Sequence, residues 1–236
     1  MANISFNFKQ FSVFHDKCAM KVGTDGVLIG AWTNVNNANR ILDIGTGTGL
    51  ISLMLAQRND KALITAIDID ENAVLQAKEN IEKSSWNNRI NVISCDINRF
   101  ESSLEFDLIV SNPPYFCDSL KCPDKSRSTA RHTDTLNFVD LIRNVSRLLS
   151  NNGLFSLIIP FDNAVDVIYN AKQFGLYLTR NTEVMPTPIS SPKRSLLEFS
   201  KNNIEGIKNE KLVIELSRHN YSQEYINLTK DYYINM

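Results

Sequence analysis

Between residue 40 and about residue 160, short runs of aliphatic and β-branched residues alternate with longer segments whose apolar positions recur every three or four residues. The short runs predict strands at 41–44, 63–68, 90–95, 107–111 and 154–160. The longer segments predict helices at 50–58, 71–83 and 136–149, the last running into Asn151-Asn152-Gly153, which reads as a helix stop. Strands separated by helices of this length predict a parallel sheet with crossover helices, an α/β fold. Beyond residue 160, a helix near 163–174 precedes extended segments near 177–184, 195–200 and 212–217, whose turn-rich linkers predict an antiparallel end to the sheet. The linker from Pro186 to Pro192 carries three prolines, which exclude a helix by removing donors and crowding the preceding turn, so an ordered surface loop is expected. The first forty residues read largely as extended segments and turns.

A chain of 236 residues with 43% hydrophobic content is long enough for one α/β domain, and no internal repeat divides it. The expectation is a single domain over 1–236, with residues 1–39 an extension that closes over the site and 40–236 the core. No run approaches eighteen apolar residues, and the amino terminus lacks a basic-then-apolar leader, so a cytoplasmic protein without membrane contact is expected. A net charge of −1 excludes coating of nucleic acid by bulk electrostatics. It leaves room for local patches: Lys121, Lys125, Arg127, Arg131 and His132 against Asp124, and the pair Lys193-Arg194, each of which also reads as solvated loop charge. Cys18, Cys95, Cys117 and Cys122 offer only one C-x4-C spacing, and His15, His132 and His219 complete no ligand set, so reduced thiols and no metal are expected. The monomer is the default oligomeric expectation.

Candidate chemistry begins at Ile41-Leu-Asp43-Ile-Gly45-Thr-Gly47-Thr-Gly49, where an apolar strand ends in a glycine-rich turn that opens a helix. Such a turn lets the backbone approach a ligand closely and aims helix amides at it. The spacing is G-x-G-x-G rather than G-x-G-x-x-G, and Asp43 stands two residues ahead of the first glycine. A carboxylate there repels a dinucleotide pyrophosphate but attracts a sulfonium and an amino-acid ammonium, which favours S-adenosylmethionine over NAD. Asp68 ends the second strand, placed to accept from two ribose hydroxyls, whereas Asp70 falls at a helix N-cap. Asp96 follows the third strand and suits an adenine amine, with Ile69 and Ile97 as apolar faces for the ring. Singly each acid is an ordinary loop or cap residue; three acids after three consecutive strands point to one ligand.

The fourth strand runs into Asn112-Pro113-Pro114-Tyr115. Two prolines fix the backbone and remove donors, leaving carbonyls to accept. A planar exocyclic amine matches such acceptors: the Asn112 side-chain oxygen and the Pro113 carbonyl take its two hydrogens, and Tyr115 stacks on its plane. That arrangement lowers a barrier by positioning and electrostatics without a general base.

Taken together, these residues resemble the class I S-adenosylmethionine-dependent methyltransferases, and among them the amino-methylating group marked by N-P-P-Y. The resemblance spans essentially the whole chain and implies a Rossmann-like, mostly parallel seven-stranded sheet with the last strand antiparallel. It assigns cofactor binding to Asp43, Gly45, Gly47, Gly49, Asp68, Ile69, Asp96, Ile97 and Asn112, transfer to Asn112, Pro113, Pro114 and Tyr115, and S-adenosylhomocysteine as the spent cofactor. A narrower resemblance, carried by residues 8–16 and 19–32, by Ala130-Arg-His132-Thr and by Pro192-Lys-Arg-Ser-Leu-Leu-Glu-Phe199, is to the bacterial tRNA(Val) adenine-N6 methyltransferases, which act just 3′ of the anticodon. It implies that Lys21, Gly23 and Thr24 line the cofactor pocket and that Arg127, Arg131, His132, Lys193 and Arg194 meet tRNA, with Tyr115 stacked on the target base. Enzymes that methylate a release-factor glutamine, ribosomal guanine-N2 or DNA adenine share the tetrapeptide chemistry, but the helical or target-recognition domain that the first and last carry has little room here. A cofactor-binding subunit without catalysis would not need Asn112-Pro-Pro-Tyr, and Asp43 disfavours a nicotinamide oxidoreductase. Asn112→Ala is expected to abolish methyl transfer with cofactor affinity nearly intact, and Asp68→Ala to weaken cofactor binding; calorimetry beside a transfer assay separates the two.

Overall fold

The computed structural model describes residues 4–18, 20–114 and 137–236. The chain opens with an antiparallel hairpin, β1 (Ser5–Asn7) and β2 (Ser12–Phe14), followed by helix α1 (Thr24–Trp32). Then β3 (Arg40–Ile44), α2 (Leu50–Arg58), β4 (Leu63–Asp68), α3 (Glu71–Glu82), β5 (Ile90–Ser94) and β6 (Phe106–Ser111) alternate as the periodicity predicts. Helix α4 (Phe138–Leu148), β7 (Leu149–Pro160), α5 (Ala164–Gln173), β8 (Tyr177–Met185), β9 (Arg194–Ser200) and β10 (Lys208–Val213) follow. A small hairpin, β11 (Glu215–Ser217) and β12 (Asn220–Tyr221), leads into α6 (Gln223–Thr229).

Strands β3 to β10 form one sheet in the order β10-β8-β9-β7-β6-β3-β4-β5. Strand β9 is antiparallel to β7 and β8, and every other neighbouring pair is parallel. Apolar residues of α1, α2 and α3 cover one face together with the hairpin and the C-terminal tail, and those of α4 and α5 cover the other. Burial on both faces is why the central strands read as continuous apolar runs rather than strict alternations.

Three expectations need correction. The sheet has eight strands rather than seven, and its final strand, β10, lies parallel to β8, so the antiparallel member is next to last in sequence. The sequence Lys208-Asn-Glu-Lys211 hid the start of this strand because an edge strand is held by polar side chains: Glu210 Oε2 accepts from Arg180 Nε at 2.7 Å and from the Thr182 hydroxyl at 3.0 Å. The Thr182 oxygen in turn accepts from Trp32 Nε1 at 2.9 Å, which ties the added strand to α1.

The expected stop at Asn151-Asn152-Gly153 lies inside β7 instead, since α4 ends at Leu148 and the next residue is already extended. Gly153 serves a close approach: a Cβ there would sit 2.9 Å from the Phe106 carbonyl oxygen, beside the register shift between β6 and β7. The extension also contains a helix. Residues Gly26 to Trp32 of α1 are all buried, and a helix apolar on every side has no amphipathic period to read. Its passage over α2 depends on Gly30, where a Cβ would lie 3.1 Å from Met54 Cβ and 2.7 Å from the sulfur. Alanine gains about 1 kcal/mol in helix propensity there, while overpacking costs about 1–3 kcal/mol. Gly30→Ala is therefore expected to destabilise the protein by about 1 kcal/mol, read as a lower urea midpoint with an unchanged slope.

Candidate active site

Parallel register brings the carboxyl ends of β3, β4, β5 and β6 side by side, with Asp43 level with Ala66 and Val110, Ile44 with Ser111, and Asp68 with Ser94. Asp43, the three glycines, Asp68, Asp96 and Asn112 all fall along this one edge. The turn after β3 places Gly45, Gly47 and Gly49 at φ of 72°, 56° and 81°, the left-handed region that side chains with a Cβ avoid. That path folds the loop back on β4: Gly45 and Thr46 donate to the Ile67 carbonyl at 2.9 and 3.0 Å, and Gly47 donates to Asp68 Oδ2 at 2.8 Å.

Asp68, expected to take ribose hydroxyls, thus also fixes the glycine loop, and its other oxygen accepts from the Asp70 amide at 3.0 Å. Each carboxylate oxygen has a second acceptor direction left over. Asp70 is the N-cap of α3, accepting from Asn72 N at 2.8 Å. Asp96 is half-buried and accepts from Asn98 N at 2.9 Å. Ile69 is exposed at the edge, whereas Ile97 is buried in the core under α4 and offers a ligand only 4% of its surface.

Asp43 is fully buried. Its Oδ2 accepts from the hydroxyls of Thr46 and Ser52 at 2.7 Å each, while Oδ1 has no hydrogen-bond partner. Burial pushes the carboxyl up to about 6, against the lowering by those two hydroxyls. An orphaned carboxylate oxygen beneath a glycine loop costs stability unless a cation or a donor meets it. This arrangement fits the ammonium and sulfonium charges of S-adenosylmethionine, with Asp43, the glycine loop and Asp68 as the residues that would hold it.

Asn112 leaves the end of β6 half-buried, followed by buried Pro113 and exposed Pro114. A Cβ on Gly26 would lie 4.0 Å from Asn112 Nδ2 and 3.0 Å from Leu50 Cδ2, so the first turn of α1 packs against Asn112. Lys21, Gly23 and Thr24 are exposed and lead into that turn. Arg194 donates from Nε to Asp25 Oδ2 at 2.8 Å, linking β9 to α1, and Lys193 beside it is exposed. Tyr115 and the basic residues Lys121, Lys125, Arg127, Arg131 and His132 lie outside the described residues, as do Cys117 and Cys122.

Sequence reasoning missed the clamp that carries the extension to this edge. Asn80, buried on α3, accepts from Phe14 N and donates to the carbonyls of Phe14 and Thr48, each at 2.9 Å, joining β2 to the glycine loop through one amide. One turn earlier, Gln76 accepts from Lys17 N at 2.9 Å. The signal was present as two amides spaced i, i+4 on the inward face of an otherwise apolar stripe. The segment so held places Cys18 near Asp68 and Asp70; burial first, then those carboxylates, pushes its thiol up to about 11, so it stays protonated. Among the described residues no group of three or more His, Cys, Asp or Glu is arranged to hold a metal, and no helix is long and apolar enough to cross a membrane.

The architecture is shared with solved structures of low sequence similarity. A predicted O-methyltransferase from Agrobacterium tumefaciens superposes with a TM-score of 0.69 at 19% identity, over 88% of this chain and 96% of that one. A protein described as a class I S-adenosylmethionine-dependent methyltransferase from Listeria monocytogenes superposes with a TM-score of 0.59 at 13% identity, over 81% and 68% of the two chains. The fold is therefore that of the class I S-adenosylmethionine-dependent methyltransferases. The model of the methyltransferase small domain matches residues 17–159. Proteins named tRNA1(Val) (adenine(37)-N6)-methyltransferase are 54% identical in Bacteroides thetaiotaomicron and 56% in Phocaeicola vulgatus, with both chains covered in full. One from Flavobacterium johnsoniae is 48% identical over 98% of this chain and all of its own. The chain belongs to the methyltransferase small domain family and, within it, to the family of these tRNA1(Val) (adenine(37)-N6)-methyltransferases.

Burial raises the Asp43 carboxyl from its ordinary 3.8 to about 6, so the folded form binds the proton more tightly than the unfolded chain. Stability contributed at this site therefore falls as pH rises through that window. A cation above the loop favours the ionised form, so S-adenosylmethionine affinity is expected to rise with pH up to about 6 and level off above it. Asp43→Asn is expected to flatten this limb, weaken cofactor binding at neutral pH and raise the thermal midpoint of the free protein. Titration calorimetry and thermal unfolding over that range check both.

Proposed function

We propose that this protein transfers a methyl group from S-adenosylmethionine to the exocyclic N6 of an adenine in tRNA, adenine 37 of tRNA(Val). The observation that carries the reading is the sheet edge where β6 runs into Asn112-Pro-Pro beside the end of β3, which carries the glycine loop and the orphaned Asp43. The names of full-length relatives at 54 and 56% identity support the choice of acceptor. S-adenosylmethionine supplies a methyl electrophile on a sulfonium and leaves as S-adenosylhomocysteine, while the methylated nitrogen gives up one hydrogen as a proton to solvent.

The residues of the chain account for the rest. The Asn112 side-chain oxygen and the Pro113 carbonyl accept the two amine hydrogens, which draws the nitrogen lone pair out of conjugation and aims it at the methyl. Buried Pro113 and the packing of α1 against Asn112 hold these acceptors without the reorganisation that water would require. Tyr115 stacks on the adenine, and Arg127, Arg131, His132 and Lys193 hold phosphates of the anticodon loop, where an unpaired base leaves its stack at low cost. Residues 1–39 close over the cofactor, with Lys21, Gly23 and Thr24 at its rim. The enzyme acts as a cytoplasmic monomer.

The test is incorporation of labelled methyl into total tRNA, with nuclease digestion and mass identification of the nucleoside, beside a release-factor protein as competing acceptor. N6-methyladenosine in tRNA, lost in Asn112→Ala by at least a hundredfold, is the expected result. Label in the protein alone overturns the RNA assignment and leaves the amine chemistry standing.

A further inference from the structure

The two ends of the chain converge beside α1. Lys9 donates its ammonium to the carbonyls of Lys230 at 2.6 Å and Met236 at 3.0 Å, and its amide to Tyr232 O at 2.8 Å, which fastens the tail along the hairpin of β1 and β2. Tyr232 and Tyr225 are buried by this closure and pack as core. Tyr221 and Tyr233 are only half-buried, and with Phe6, Glu215, Asn235 and Thr24 they line an open cavity of about 540 Å³. Its aromatic walls are braced: the rings of Tyr221 and Tyr225 lie 5.3 Å apart, and those of Phe6 and Tyr233 5.9 Å apart.

The cavity adjoins the reaction site. Thr24, in its wall, begins the helical turn whose Gly26 faces Asn112. Preordered aromatic side chains suit a flat ring, because every nucleobase presents a π face and stacking tolerates its identity. The charge of the wall decides between base and phosphate. Glu215 has no ion-pair partner among the described residues, so its carboxylate repels a phosphate and accepts from the amino or imino donors of a base edge, beside the amide of Asn235.

We infer that this cavity is a second nucleobase subsite, which takes one unpaired base neighbouring the target adenine by stacking on Tyr221 and Tyr233 and pairing with Glu215. The inference rests on the RNA substrate proposed above. A base held here pulls the strand across the head of α1 and presents the adjacent adenine to Asn112, so the subsite contributes to RNA affinity and to the choice of adenine while leaving the cofactor untouched.

A synthetic anticodon stem-loop carrying the target adenine, and versions abasic at either neighbouring position, test this against the full chain. With wild type, one abasic version is expected to raise the RNA KM roughly tenfold, the scale of one lost stacking contact. Tyr221→Ala is expected to raise KM for the intact stem-loop by a similar factor, to show no further loss with that abasic RNA, and to keep its affinity for S-adenosylmethionine. Should that variant fold poorly, Ile234→Trp, at a position 55% exposed on the tail, fills the cavity from outside and is expected to give the same non-additive pattern. Losses that simply multiply in either variant, or abasic neighbours that cost wild type nothing, overturn the subsite while methylation of the intact stem-loop keeps the enzyme's assignment. No methylation of the intact stem-loop overturns both.

Discussion

The hydrogen bond from Gly47 N to Asp68 Oδ2 joins the ends of two neighbouring parallel strands through a loop that takes left-handed backbone at three glycines. With Gly45 and Thr46 bonded to Ile67, it turns the end of β3 into a rigid shelf over the sheet edge. Everything at the site is referred to this shelf: Gly49 opens α2, Thr46 and Ser52 hold Asp43, and the Thr48 carbonyl receives the Asn80 amide. A side chain at either of the first two glycines would meet no steric obstacle, since nothing lies within 4 Å of an added Cβ at Gly45 or Gly47. Backbone conformation alone fixes the choice, and the open space above it is where a ligand has room.

Buried polarity on this side of the sheet divides into satisfied and unsatisfied groups, and the division follows their roles. Asn80 uses its oxygen and both amide hydrogens to bind the extension to the shelf, so burial costs little and the join is specific. Asp43 leaves one oxygen unpaired and is pushed up to about 6 by burial, a standing cost in the free protein. A bound cation would relieve that cost, which couples cofactor affinity to stability of the same loop.

The extension and the tail do more than cover the core. Helix α1 is pinned from three sides: by Arg58, which donates to the carbonyls of Gly30 and Thr33, by the Trp32 bond to Thr182, and by the Arg194 pair with Asp25. A helix so held at both ends keeps its first turn against Asn112, so residues more than eighty positions from the tetrapeptide set the wall opposite it. The same pinning leaves the space beside Thr24 for the chain ends to enclose.

The sequence by itself determined the alternation of strands and helices from residue 40 to 160, the sheet edge on which the site forms and the acids that line it. These features are local: a period of 2 or 3.6, a glycine spacing and an acid at a strand end are each read within a dozen residues. Only the tertiary structure decided the parallel edge strand β10, whose charged sequence makes sense beside Arg180 and Thr182, and helix α1, whose uniform apolarity matches burial on every side. It also decided that Gly153 serves a close approach to Phe106 rather than a helix end, that Arg194 meets Asp25, and that Asn80 joins hairpin to loop. Partners in these contacts are separated by between 28 and 169 positions, and no window along a chain records which distant group will face a buried amide or a guanidinium.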